Sequence, residues 1–276
     1  MPAVRNPAAQ TGNPRLAVDI GNTHTVAGWF QGGKIRRRWR LPTRRDSTVD
    51  EIAFWLRGLM GKKSGPAPTA ALASVVPVLD DVWLAALEDV FRVRPRMLNY
   101  RDCLGLKLDY EIPSQIGADR LANVLGAQAL GIAEGVIIDF GTATTFDVFA
   151  NHVYHGGVIC PGLQTGLRAL TQSAAKLAEP ELRWPEGAVG RNTEDALRIG
   201  ILHGAVGMIE SLLKDILRES AFNRRKPPVL ATGGLAFWMK ERTGVIDRFE
   251  PDLTLLGINH LLSGNAPDGV RRRRTT

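Results

Sequence analysis

Two acids stand at the ends of buried runs. Asp19 lies in Leu16-Ala-Val-Asp-Ile20 and is followed by Gly21-Asn22-Thr23; Asp139 lies in Val136-Ile-Ile-Asp-Phe140 and is followed by Gly141-Thr-Ala-Thr-Thr145. A carboxylate at the end of a buried strand costs free energy unless it pairs or meets a cation. The glycine two residues on lets the backbone turn closely and aim N–H groups at a bound anion. Hydroxyls from Thr23, Thr144 and Thr145 add donors for phosphate oxygens, and the two acids suit the metal that neutralises a polyphosphate. Either turn alone reads as a capped turn. Two matching turns read as a device that grips a polyphosphate from both sides.

Gly117-Ala118-Asp119-Arg120 opens an apolar helix through Leu121, Val124, Leu125 and Leu130. An Asp there usually caps the helix and an Arg beside it usually pairs with it. Phosphoryl transfer to an alcohol needs the same two groups, a carboxylate near the attacking hydroxyl and a cation for the developing charge. Thr232-Gly233-Gly234 ends another strand, and its bare backbone could carry a flat ligand such as a nucleobase or simply make a tight turn. His152 and His155 fall in an expected hairpin turn and read as surface residues rather than a metal pair.

These groups must be positioned by a repeated α/β frame. Leu16–Ile20, Val26–Phe30 and a strand after Gln31-Gly-Gly-Lys34 read as an antiparallel opening. Ser47–Leu59 has helical spacing with a Thr48/Glu51 capping box, Ala70–Val76 is a buried strand and Val78–Phe91 a helix. Val136–Phe140, Phe146–Ala150 and Gly156–Ile159 repeat the opening, with Asp139 lying 120 residues after Asp19 and Thr145 the same distance after Thr25. Gly162–Leu177 and Asn192–Arg218 read as helices, Val229–Thr232 as a strand, and Phe249–Leu262 as a closing element. A repeat on this scale implies two related α/β domains across a cleft.

The chain has 276 residues, 44% hydrophobic and 23% charged, enough for a sizeable core. No run reaches the roughly 18 uninterrupted apolar residues of a membrane helix. Met1–Arg15 has no apolar signal core and reads as a disordered leader. Cys103 and Cys160 form no CxxC pair and, with no signal segment expected, read as reduced cytoplasmic thiols. The net charge of +7 is concentrated in Arg36, Arg37, Arg38 and Arg40 and in Arg271–Arg274, read as a solvated strand face and a tail rather than a nucleic-acid surface. No Gly-x-x-x-x-Gly-Lys-Thr loop and no Gly-x-Ser-x-Gly elbow occurs, which argues against a P-loop kinase and the common hydrolase.

Asp19-Ile-Gly-Asn-Thr23, Ser74-Val-Val-Pro77, Gly117-Ala-Asp-Arg120, Asp139-Phe-Gly-Thr-Ala-Thr-Thr-Phe-Asp147, Gly156-Gly-x-Ile-x-Pro-Gly162, Gly190-x-Asn-Thr193, Thr232-Gly-Gly234 and Pro251-Asp-Leu-Thr-Leu255 occur in that order. The series, over about residues 16 to 263, resembles the type III pantothenate kinases. The resemblance implies an α/β fold of the acetate and sugar kinase/Hsp70/actin type: duplicated ribonuclease H-like domains, each a mixed sheet flanked by helices, with a cleft between them. The domains would be a leader (1–15), an N-terminal domain (16–121), a C-terminal domain (122–264) and a basic tail (265–276). It implies ATP-dependent phosphorylation of pantothenate, the first step to coenzyme A, by a cytoplasmic homodimer using a divalent metal such as Mg²⁺ and activated by K⁺ or NH₄⁺. Neither a membrane nor a nucleic-acid partner is expected.

By position, Asp119 would be the catalytic base with Arg120 beside it. Asp19, Gly21, Asn22, Thr23, Gly141, Thr142, Thr144, Thr145, Gly233 and Gly234 would bind ATP, Asp19 near Mg²⁺ and Asp139 at the monovalent cation. Tyr110, Gly117, Ala118, Asp119, Arg120 and Ala174 would line the pantothenate site. The family usually shows Thr-Ala-x-Leu-Pro where this chain has Ala174-Ala-Lys-Leu-Ala178, so Ala174 lacks a hydroxyl that Thr171 or Ser173 could replace. Two alternatives remain at this point: a regulatory or transcription accessory relative, and a kinase of the same fold for another small alcohol.

Overall fold

The computed structural model describes residues 13–60, 68–174, 177–219, 222 and 226–264. Residues 1–12 of the expected leader, the whole expected tail 265–276 with Arg271–Arg274, and Ala175 and Lys176 lie outside the described residues; Arg15, assigned to the leader, begins a strand. The chain divides into two compact units, one of them discontinuous.

Unit 1 comprises the described residues up to Leu106, then Glu111–Gly131, and those from Leu253 onward. Its sheet contains β1 (Arg15–Ile20), β2 (His24–Gln31), β3 (Lys34–Pro42), β4 (Thr69–Ser74) and β5 (Arg96–Met97), in the order β3-β2-β1-β4-β5. The first three strands are antiparallel, and β4 and β5 add in parallel. Gly32 and Gly33 take φ of 60° and 74°, the left-handed conformation that a two-residue hairpin turn requires. On one face α1 (Val49–Met60) and α2 (Asp80–Phe91) bury Leu16, Val18, Ile20, Leu56, Leu72, Trp83 and Leu87. The capping box is present: Thr48 N–H donates to Glu51 Oε2 at 2.8 Å, and Glu51 N–H to Thr48 Oγ1 at 3.3 Å. Because helices cover both faces, β1 is a nearly continuous apolar run rather than an alternating one.

β3 is the sheet edge, and Arg36, Arg37, Arg38 and Arg40 are all exposed on it. A bulge opposite Trp29 and Phe30 leaves Arg36 as the extra residue. Cations on a bulged edge strand discourage pairing with another chain's edge, which accounts for much of this run.

Unit 2 comprises Lys107–Tyr110 and the described residues of Ile132–Asp252. Its strands are β6 (Lys107–Leu108), β7 (Glu134–Phe140), β8 (Ala143–Ala150), β9 (Val153–Pro161), β10 (Val229–Gly233) and β11 (Arg248–Phe249), in the order β11-β10-β7-β8-β9-β6. Apart from the added edge β6, the order and directions of unit 1 are repeated. The expected third strand is longer than Gly156–Ile159: only Asn151 and His152 turn, both at positive φ, and His155 lies within β9. α4 (Leu163–Ser173), α5 (Thr193–Glu219) and α6 (Ala236–Lys240) follow, with Val136, Ile138, Phe146, Leu202, Ile209, Leu213 and Met239 in the core. Gly190-Arg-Asn-Thr193 is the start of α5: Asn192 Oδ1 accepts from Asp195 N–H at 2.8 Å, and a Cβ on Gly190 would stand 2.4 Å from Ala196 N. Although no uninterrupted apolar run was expected to reach membrane length, α5 is long and apolar enough to cross a membrane by length and composition; Leu202, Ile209, Leu213 and Ile216 of this helix sit in the unit 2 core.

α3 (Ala118–Ala129) contains residue 121/122, the boundary drawn from the sequence, and belongs wholly to unit 1. The chain then returns to unit 1 as α7 (Leu253–Leu261), which packs on α3 and against β1 and β4. That packing depends on bare backbone. A Cβ on Gly257 would lie 1.8 Å from Ala122 O, and one on Gly126 would lie 2.2 Å from Leu253 O. Between them Thr254 Oγ1 donates to Asn123 Oδ1 at 2.7 Å. Gly257→Ala forces two helix backbones apart and is expected to destabilise the protein by about 2 kcal/mol or more. Urea unfolding measures it; a change of under about 0.5 kcal/mol would show that the helices are not held this closely.

Candidate functional site

In unit 1 the predicted residues gather at the carboxyl ends of β1 and β4. Gly21 N–H donates to His24 O at 3.1 Å, closing a turn that leaves Asn22 and Thr23 exposed. The segment after β3 holds this turn from the side. Thr43 N–H donates to Thr23 O at 2.9 Å, the Thr25 and Thr43 hydroxyls are 2.9 Å apart, and Arg45 donates to Asn22 Oδ1 at 3.2 Å. His24 Nδ1 accepts from Arg40 at 3.2 Å, and burial, with the Arg40 charge, pushes the His24 pKa down. Sequence reasoning missed Thr43 and Arg45, whose only signal was a polar, basic stretch before α1.

Asp119 reaches the same end of the sheet. Val75 N–H donates to Ile20 O at 3.0 Å, and Val75 Cγ1 lies 3.6 Å from where a Cβ on Gly117 would be. Gly117 is the residue before α3, and Asp119 Oδ1 folds back to 2.4 Å from that same Cβ position, so a side chain there would displace the carboxylate. Oδ1 accepts from Arg120 N–H at 2.8 Å. Burial pushes the Asp119 carboxyl above the ordinary carboxylate range, while the Arg120 N–H and the charge of the buried Arg120 side chain pull the other way. Ala118 is buried beside them. A carboxyl with a raised pKa, half-buried at a helix N-terminus, is suited to taking up a proton.

In unit 2 the corresponding turn is one residue shorter. Gly141 N–H donates to Ala143 O at 3.0 Å, where Gly21 reaches His24. Ile20 pairs with Thr25 and Phe140 with Thr144, so Thr25 corresponds to Thr144 and not to Thr145 as the constant spacing suggested. Both are buried, each 2% exposed; Thr142 is exposed and Thr145 half-buried, so those two hydroxyls are the accessible ones on this turn. Gly162 N–H donates to Thr142 O at 3.2 Å and Thr165 Oγ1 to the same oxygen at 2.6 Å. A Cβ on Gly162 would be 2.5 Å from Gly141 O. The Pro161-Gly162 motif therefore ties the start of α4 to the turn.

Asp139 and Thr232-Gly-Gly234 meet. Thr232 is in register with Asp139, and Gly233, at φ of 91°, offers its bare Cα to Asp139 Oδ1 and Phe140 O, each 2.6 Å from an imagined Cβ. Gly234 has nothing within 4 Å of its Cβ position, leaving open space above the turn. Tyr110 belongs to unit 2, its ring 6.1 Å from Tyr154 and 3.4 Å from the Cβ position of Gly156, while Tyr154 donates to the buried Asp147 at 3.0 Å. Ala174 is half-buried and extended just past α4. The hydroxyls offered as its replacements bond within their own helix, Thr171 to Leu167 O and Ser173 to Ala169 O.

Among the described residues no three His, Cys, Asp or Glu side chains cluster as a metal site. A divalent ion held largely by nucleotide phosphates needs as few as one or two protein carboxylates. Asp139 Oδ1 and Phe140 O, both hard donors, lie together beside Gly233.

The type III pantothenate kinase family model matches residues 15–215. A type III pantothenate kinase from Desulfosudis oleivorans is 38% identical over 248 residues, covering 88% of this chain and 96% of the relative. Among solved structures, a candidate 2-dehydro-3-deoxygalactonokinase from Sinorhizobium meliloti superposes with a TM-score of 0.57 at 14% identity, covering 94% of this chain and all of that one. A candidate Baf family transcriptional activator from Campylobacter jejuni gives 0.58 at 19%, covering 90% and 97%. These last two show the fold alone, a duplicated actin-like α/β fold. The family match and the curated relative, over motifs that the structure gathers into two related turns, establish that this chain belongs to the type III pantothenate kinase family.

Proposed function

We propose that this chain transfers the γ-phosphoryl group of ATP to the hydroxyl of pantothenate, giving 4′-phosphopantothenate and ADP, the first step to coenzyme A. The observation that carries the reading is the Asp119 carboxyl, raised by burial and held over Gly117 at the start of α3. The pantothenate oxygen attacks the γ-phosphorus, the bond to the β–γ bridging oxygen breaks with its electron pair leaving on ADP, and the hydroxyl proton passes to Asp119. Arg120 stays beside the acceptor end. Asn22 and Thr23 in unit 1, and Gly141, Thr142 and Thr145 in unit 2, are assigned to the phosphates, with Asp19 to the Mg²⁺ that travels with them. A divalent ion held there would supply charge neutralisation as the phosphoryl group moves. Asp139 and Phe140 O are assigned to K⁺ or NH₄⁺, Gly233 and Gly234 to the base side of the nucleotide, and Tyr110, Gly117, Ala118 and Ala174 to the pantothenate side.

A homodimer is part of the same proposal. Gly200, Gly204 and Gly207 lie exposed along one stripe of α5, with nothing within 4 Å of their Cβ positions, a surface on which a second helix can pack closely. Cytoplasmic placement is proposed from the chemistry of the substrates and from the two free cysteines.

Three measurements follow. ADP release with Mg²⁺ should require pantothenate and K⁺ and fall when Na⁺ replaces K⁺; turnover that refuses pantothenate but accepts another small alcohol would replace the substrate assignment. Because a protonated Asp119 cannot accept the hydroxyl proton, kcat/KM should drop with falling pH along a limb set above the ordinary carboxylate range. Arg120→Gln removes the charge that opposes the raised value and should move that limb to still higher pH; a limb at or below pH 4 in the unaltered protein would sink the assignment. Sedimentation should show a dimer that Gly204→Leu converts to monomer; a unaltered protein that sediments as a monomer would remove α5 as an interface.

A further inference from the structure

We infer that Arg45 is a further catalytic residue: a guanidinium of unit 1 that touches the nucleotide phosphates at the Gly21–Thr23 turn and stabilises their charge as the phosphoryl group moves. This rests on the reading of that turn as a phosphate site.

Geometry brings Arg45 there. The loop after β3 is fastened to the turn at two points that do not involve the arginine, Thr43 N–H on Thr23 O at 2.9 Å and the Thr25–Thr43 hydroxyl pair at 2.9 Å. Arg45, two residues further on, reaches back to Asn22 Oδ1 at 3.2 Å. A guanidinium carries five N–H donors in a fixed fork, and this contact uses one. The rest of an exposed side chain is left for an anion. The contact also orients Asn22, because an amide whose oxygen is engaged by Arg45 presents its Nδ2 protons elsewhere.

A purely structural role explains this poorly. A single hydrogen bond on an exposed turn stabilises little once the ordering of a long arginine chain is set against it. The backbone and hydroxyl bonds of Thr43 already hold the loop. A fork-shaped cation is the group best matched to phosphate oxygens, and unlike lysine it keeps its charge at any working pH. Arg45 forms and breaks no covalent bond: it meets the charge that gathers on the phosphate oxygens while the proton goes to Asp119 and the electron pair to ADP.

The test uses the full chain with MgATP, pantothenate and K⁺, comparing the unaltered protein with Arg45→Ala, Arg45→Lys and, as a control on the exposed edge strand β3, Arg36→Ala. Arg45→Ala should lower kcat about 100-fold or more with KM for ATP changed far less, as expected for charge met in the transition state. Arg45→Lys should recover part of the rate, added guanidinium ion should recover part of the Arg45→Ala rate, and Arg36→Ala should match the unaltered protein. The thermal unfolding midpoint should be the same in all four. A kcat within twofold of the unaltered protein in Arg45→Ala would overturn the inference while leaving the proposed function standing, as would a raised KM for ATP with kcat intact. If the unaltered protein binds MgATP without turning it over, the proposed function fails first. Arg45 then has no transition-state charge to meet, and the inference falls with the reading it rests on. Absence of MgATP binding in the unaltered protein removes both.

Discussion

A carboxylate at the end of a buried strand is the constraint that both units are built around. Asp19 and Asp139 each end a strand flanked by an antiparallel partner on one side and a parallel one on the other. A charge in such a place must meet donors or cations. The turn that follows it therefore carries glycine and hydroxyl residues, and the parallel neighbour must end without crowding it. In unit 2 that neighbour ends in Gly233, whose missing side chain is the space that Asp139 faces. In unit 1 it ends in Ser74, and Val75 passes on to hydrogen-bond Ile20 O.

From one plan the two copies have diverged in what they add. Unit 1 adds α3, with Asp119 and Arg120 at its first turn, and a loop after β3 that is hydrogen-bonded to the Gly21–Thr23 turn. Unit 2 shortens its turn by one residue and fixes it through Gly162 and Thr165. Under the proposed function, proton acceptance and cationic charge fall to the first unit, and further phosphate contacts to the second. That split suits a reaction in which the protein makes no bond to substrate and works by position and charge.

The duplication was legible because its signals are local: apolar runs ending in Asp, a glycine two residues later, and a constant spacing. The Thr48/Glu51 box was legible for the same reason. The pairing of Thr25 with Thr145 failed because a fixed offset cannot register a turn that is one residue shorter, and such a slip moves every later side chain to the other face. Two-residue strands such as β5, β6 and β11 carry too little pattern to be seen. The apposition of α3 with α7 was invisible because Gly126 and Gly257 acquire meaning only when distant segments meet. Arg45 looked like one more cation in a basic stretch, since nothing in its neighbours names Asn22 as a partner.

The return of α7 to the first unit also sets an order of events during synthesis. A ribosome delivers β1–β5 and α3 first, then all of β7–β11, and only then the helix that covers the Gly126 face of α3 and the second face of β1 and β4. Until that moment the first unit is a half-covered sheet, its apolar surface open to chaperones and proteases, while the second is translated almost without interruption. The nascent chain should therefore complete the Asp139 turn before Asp119, at the start of α3, is locked in place by α7.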